Sequence, residues 1–200
     1  IVGGNSSLAS EIIELATERQ SFDKYVMLSF EAKLKEDTNN RIFDDGKTPI
    51  VKGPISSLDK VLEDLCETSV SVIFCATYSA ASEYVRTSVV QQSLHGVFAQ
   101  ALAISVKENQ SFFFIGSNLA MVPFINRSKY KDIKYIELLA FDRLYIHLQQ
   151  NFFVLTPPLK PAGSFLANAV GMERRDFVEE LIEFVLRPKT GEKYVVFGSR

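Results

Sequence analysis

Apolar residues along the chain gather into short runs, and the stretches between the runs carry helical spacing. The runs are Tyr25–Phe30, Pro49–Lys52, Val70–Cys75, Ser111–Gly116, Phe152–Leu155 and Tyr194–Phe197, and Ile1-Val2 reads as the end of a seventh. Most are continuously apolar rather than alternating, the pattern of strands covered on both faces. Between Ile1-Val2 and Tyr25–Phe30, Leu8, Ile12, Leu15 and Ala16 recur at helical spacing, which predicts a helix over about Leu8 to Thr17. The polar stretch from Glu31 to Thr48 reads as a short helix and a loop. Gly53-Pro54 should break the strand before it, and Ser56-Ser57 can cap a helix running through Leu65. Longer helical stretches cover roughly Ser82 to Lys107 and Ser128 to Gln149. A last one, about Arg175 to Leu186, follows the Pro157-Pro158 loop.

Strand and helix alternate from end to end, with no repeat and no low-complexity linker. The pattern predicts one α/β domain over residues 1–200: a doubly wound Rossmann-type fold with a mostly parallel seven-stranded sheet and helices on both faces. Ligands in such folds sit at the carboxyl ends of the strands, near the point where the strand order reverses.

Composition narrows the chemistry. Twenty-two basic against 24 acidic residues leave a net charge of −2, with no overall pull toward nucleic acid or an anionic membrane. No apolar run reaches the roughly 18 residues that span a bilayer, and the chain opens without the basic and apolar regions of a secretory signal. A cytoplasmic protein is expected. Two cysteines, Cys66 and Cys75, make no disulfide framework. No Cys/His cluster has metal-ligand spacing, so no metal site is expected.

Two places could do chemistry. The first turn, Gly3-Gly4-Asn5-Ser6-Ser7-Leu8, is built of small residues and opens a helix whose positive end could meet a phosphate; a plain tight turn explains it equally well. The second place is the end of the Ser111–Gly116 strand. Ser117 follows it, and Tyr130 and Lys134 lie one helical turn apart in the next helix. An ammonium beside a phenol favours the phenolate and makes the tyrosine a usable proton donor near neutral pH. A Tyr-x-x-x-Lys pair is expected about 0.5 times by chance in this composition, and about 0.04 times with a serine 13 residues upstream.

On these residues the chain resembles the short-chain dehydrogenase/reductase family over nearly its whole length. The resemblance implies an NAD(P)-dependent oxidoreductase interconverting a carbonyl and a secondary alcohol. Tyr130 would be the general acid/base, Lys134 would lower its pKa and hold the nicotinamide ribose, and Ser117 would orient the substrate oxygen. Ser93 falls near the asparagine of the family's proton relay. The cofactor would meet Gly3, Gly4, Asn5, Ser6, Ser7, Leu8, Phe30, Glu31, Ala76, Tyr130, Lys134 and Pro157. Glu31 would favour NAD, whereas Lys33 or Lys35 could accept the 2′-phosphate of NADP, and both remain open.

Several family marks are altered. Ser7 and Ala9 stand at the second and third glycines of the first turn, and Phe74-Cys75-Ala76-Thr77 replaces Asn-Asn-Ala-Gly. Lys52-Gly53 occupies the turn where the family has an aspartate. Pro157-Pro158 replaces Pro-Gly beside the nicotinamide pocket. The competing reading is therefore a catalytically inactive scaffold of the same fold, binding a nucleotide, ligand or protein partner.

The remaining candidates have plainer roles. Cys75 reads as a buried structural thiol, and His95 and His147 as packing or surface residues. Arg174-Arg175 flanks the last helix, Phe112-Phe113-Phe114 is strand core, and Asp44-Asp45-Gly46 is a turn. Ile133, Ile136, Leu139, Ala140, Leu144 and Ile146 give the Tyr130 helix more apolar surface than one sheet face needs; the surplus is either core or, as the resemblance implies through the pairing of this helix across a two-fold axis, the seam of a homodimer or homotetramer. The expected partner is a small carbonyl or alcohol substrate, with a lining that is largely apolar.

Overall fold

Phe112, Phe113, Phe114 and Ile115 are all buried, which only a strand packed on both faces can achieve. Their side chains alternate: Phe113 and Ile115 join one core cluster, Phe112 and Phe114 the other. The computed structural model describes residues 1–3, 6–29, 50–54, 57–65, 67–75, 109–118, 134–135, 138–139, 141–142, 151–160, 171–189 and 191–197.

In chain order these hold α1 (Ser7–Glu18), β1 (Tyr25–Ser29), β2 (Ile50–Pro54), α2 (Leu58–Asp64), β3 (Val70–Phe74), β4 (Gln110–Ser117) and β5 (Asn151–Thr156). There follow β6 (Leu159–Lys160), β7 (Met172–Glu173), α3 (Arg174–Leu186) and β8 (Tyr194–Val196). Residues 134–135, 138–139 and 141–142 are helical, inside the predicted Ser128–Gln149 helix.

Every strand pair is parallel: β1 with β2, and β3 with β4, β4 with β5, β5 with β8. The two groups meet at Val2, which bridges Leu28 on one side and Phe74 on the other. Gly3 N donates to Leu28 O (2.8 Å) and Leu28 N to Ile1 O (2.8 Å). Across the gap Val2 N donates to Ile73 O (2.9 Å) and Cys75 N to Val2 O (2.8 Å). The order is therefore β2-β1-Val2-β3-β4-β5-β8. The predicted first strand survives as this bridge, and the chain turns to opposite sides of it, so the switch point lies at Val2-Gly3.

One face of the sheet carries α1 and α3, the other α2 together with the helical residues Leu138 and Phe141. The helix pair α1/α3 buries Ile12, Ile13 and Ala16 against Phe177, Leu181 and Ile182. Partly exposed ion pairs line its outer edge: Arg19–Glu179 (2.9 Å), Arg174–Glu11 (3.1 Å) and Arg175–Glu18 (3.5 Å). Each contributes about 0.2–1 kcal/mol, far less than the apolar contact beneath.

Some boundaries differ from those expected. Gly53-Pro54 does not break β2 but completes it, pairing with Leu28 and Ser29. Among the described residues β2 pairs on one side only, where a proline costs no ladder bond. Ser57 occupies the N-cap position of α2 without a side-chain cap bond, because its backbone (φ −91°, ψ 4°) lacks the extended cap conformation. The Pro157-Pro158 loop is followed at once by strand. Leu159 and Lys160 pair in parallel with Met172 and Glu173, with Met172 N donating to Pro158 O (2.9 Å) and a Lys160–Glu173 ion pair at 3.3 Å. Two-residue strands carry no periodicity from which they could be read.

Candidate functional site

The site is built from the carboxyl ends of the central strands. Gly3 follows the Val2 bridge with φ +83°, a conformation that favours glycine, so the first glycine of the turn is required by the backbone. Ser6 then caps α1: its extended backbone and the bond from Ala9 N to Ser6 Oγ (3.1 Å) satisfy one of the helix's free donors. Ser7, which stands where the resembled family has glycine, is simply the first helical residue, so serine there costs no strain. Leu8, in the first turn of α1, packs against the core.

The first turn of α1 holds no acidic residue. Arg174, at the start of α3, reaches it instead: Nη1 donates to Ser7 Oγ (2.9 Å) and to Glu11 Oε1 (3.1 Å). The guanidinium, paired here with Glu11, thus stands beside the positive end of α1. From the sequence Arg174 reads as a residue flanking the last helix, because nothing local tells that α3 begins beside α1.

Further along the same edge lie Cys75 after β3, Ser117 and Asn118 at the end of β4, and Thr156 and Pro157 at the end of β5. Ser117 is Thr156's register partner across the parallel pair. Ser117 is buried (7% exposed). Lys134 is a fully buried lysine at 1% exposure, and its ammonium acts on the Cys75 thiol, which places it over this edge. Burial pushes that thiol up to about 12, while Lys134 pulls it partly back, so Cys75 stays a neutral structural thiol. Two oxygen atoms here are buried without a hydrogen-bond partner, Asn118 Oδ1 and Thr156 Oγ1. Neither residue was singled out from the sequence.

The structure thus gathers Gly3, Ser6, Ser7, Lys134, Ser117 and Pro157 at one edge of the sheet. Gly4, Asn5, Phe30, Glu31, Ala76, Ser93 and Tyr130 lie outside the described residues, as do His95, His147 and Asp44-Asp45-Gly46. Of the apolar positions expected on the helix predicted over 128–149, Leu139 is described and is exposed. Among the described residues no group of three or more His, Cys, Asp or Glu could hold a metal, and no helix is long and apolar enough to cross a membrane.

At the level of sequence, no family model and no curated protein matches the chain. Solved structures do. A short-chain dehydrogenase/reductase from Vibrio parahaemolyticus superposes with a TM-score of 0.64 at 14% identity, covering 100% of this chain and 99% of that one. A short-chain dehydrogenase from Sphingobium yanoikuyae, in complex with NADPH, gives 0.61 at 15%, covering 98% and 85%. A dTDP-glucose 4,6-dehydratase from Bacillus anthracis, in complex with NAD, gives 0.58 at 13%, covering 98% and 74%. The chain has the Rossmann-type fold of the short-chain dehydrogenase/reductase structures.

Proposed function

We propose that the chain is an NAD(P)-dependent oxidoreductase interconverting a carbonyl and a secondary alcohol. The observation that carries the reading is a lysine buried over the carboxyl edge of the sheet, Lys134, four residues after a tyrosine and on the same edge as Ser117. Burying an ammonium costs free energy that pairing must offset, so a lysine kept there fits a task that a neutral side chain cannot perform. Holding a phenol close to ionisation is such a task.

The residues present fit a nicotinamide dinucleotide. The positive-φ Gly3 turn, the Ser6-capped start of α1 and the Arg174 guanidinium would hold its diphosphate, and Lys134 its ribose. The NADPH and NAD held by the Sphingobium and Bacillus structures support that choice. When bound, the reduced cofactor supplies a hydride to the carbonyl carbon. Tyr130 gives its phenolic proton to the carbonyl oxygen, Lys134 stabilises the phenolate that remains, and Ser117 donates a hydrogen bond to the same oxygen. Glu31 against Lys33 and Lys35 would decide between NAD and NADP.

Titration with NADH and NADPH, read by tyrosine fluorescence, tests the cofactor site. A panel of ketones and aldehydes, followed by loss of the reduced nicotinamide absorbance, tests the chemistry. Tyr130→Phe is expected to lower kcat by at least about 100-fold with cofactor Kd unchanged. A Tyr130→Phe protein with full activity would overturn the mechanism, and failure to bind either dinucleotide would overturn the reading.

A further inference from the structure

Arg174 opens α3, directly after β7, and its side chain crosses to α1. There a single nitrogen, Nη1, donates both to Ser7 Oγ (2.9 Å) and to Glu11 Oε1 (3.1 Å). Ser7 and Glu11 are four residues apart in α1, so they lie one above the other on one helix face. A guanidinium carries five N–H donors. Because both bonds use Nη1, the edge formed by Nε and Nη2 has no partner among the described residues. That edge is a planar fork able to grip two phosphate oxygens at once.

By charge alone Glu11 is out of place. It is a carboxylate only one turn into α1, the helix whose start would meet the diphosphate of the proposed cofactor. Like charges at such range repel. Among the described residues its ion pair is with Arg174, whereas Arg175, next in the chain, pairs with Glu18 and Glu179 (both 3.5 Å).

We propose that Glu11 is a positioning residue for the cofactor: it holds Arg174 against the first turn of α1 and so presents the free guanidinium edge to the diphosphate. The inference rests on the oxidoreductase reading and deepens it. An arginine loose in solvent loses rotamer freedom when it grips an anion, and one already fixed by two bonds loses little. The paired charges of Glu11 and Arg174 cancel, so the repulsion from the carboxylate is offset while the fork stays in place.

Titration with NADH and NADPH tests the assignment. Repulsion by itself predicts that Glu11→Ala tightens binding. Positioning predicts the opposite sign, with Kd raised about threefold to tenfold in Glu11→Ala and about tenfold or more in Arg174→Ala. In an Arg174→Ala background Glu11→Ala weakens binding no further, since nothing is left to position. ADP-ribose, which carries the diphosphate without the nicotinamide, is expected to show the same ratios. The Arg174 and Glu11 side chains are 31% and 36% exposed, so each variant folds, with a Tm without ligand within about 3 °C of the wild type.

A Glu11→Ala protein that binds as tightly as the wild type, or more tightly, would overturn the assignment. So would an equal loss with Arg174 absent, a ratio of one with ADP-ribose, or a loss of binding that tracks a lowered Tm. Failure of the underlying reading looks different: the wild-type protein binds neither NADH nor NADPH, and then both inferences are lost.

Discussion

At Gly116 a hydrogen in place of a side chain decides where Ser117 stands. A Cβ there would run into the Phe153 ring, which is itself held under Phe141 with ring centroids 5.1 Å apart. Phe153 is buried and has little freedom to yield. Gly116→Ala is therefore expected to cost about 1–3 kcal/mol in denaturant unfolding. By shifting the end of β4 it should also lower kcat more than it raises KM in the proposed carbonyl reduction. The sequence shows that a glycine precedes Ser117. That the neighbouring strand requires it is visible only once β4 and β5 are in register.

Helix α1 shows how differently the two ends of one element are written. Its start is legible: Ser6 is a good cap, and a glycine turn precedes it. Its end carries no signal. Gln20 takes φ +51°, with Ser21 N donating to Ala16 O (2.9 Å) and Gln20 N to Thr17 O (3.0 Å), the bond pair that closes a helix through a left-handed residue. Glycine is the usual occupant of that position, so Gln20→Gly is expected to raise stability by about 0.5–1 kcal/mol, read as a higher midpoint of urea unfolding. β2 and the β6–β7 pair teach the same lesson. Proline and short length argue against strand locally, and the ladder partner, distant in sequence, overrules them.

For the whole molecule, the site's thiol sets a limit at alkaline pH. The Cys75 thiol is pushed up to about 12 from its ordinary 9.0. Between those values the folded protein keeps a proton that the unfolded chain has lost. Stability from this group is thus complete below pH 9 and falls as pH rises toward 12. Tyr194, raised from 10.0 to about 12 by burial and by its bond to Asp142, acts in the same direction over the upper part of that window. Urea unfolding at pH 8, 9 and 10 should show a steeper alkaline loss in the wild type than in Cys75→Ala.

What the sequence determined by itself is what is encoded locally. The apolar runs state which segments are covered on both faces, the helical spacings state which lie on top, and small residues mark the Gly3 turn. The spacing of Ser117, Tyr130 and Lys134 carries the family resemblance on which the proposed chemistry rests. What the tertiary structure alone decided concerns pairs distant in the chain. Val2 joins β1 to β3, Arg174 reaches Ser7, Thr156 stands beside Ser117, and Lys134 is fully buried. The physical reason is that periodicity records whether a face meets water or core, whereas register and the pairing of buried polar groups depend on which distant segment supplies the other side.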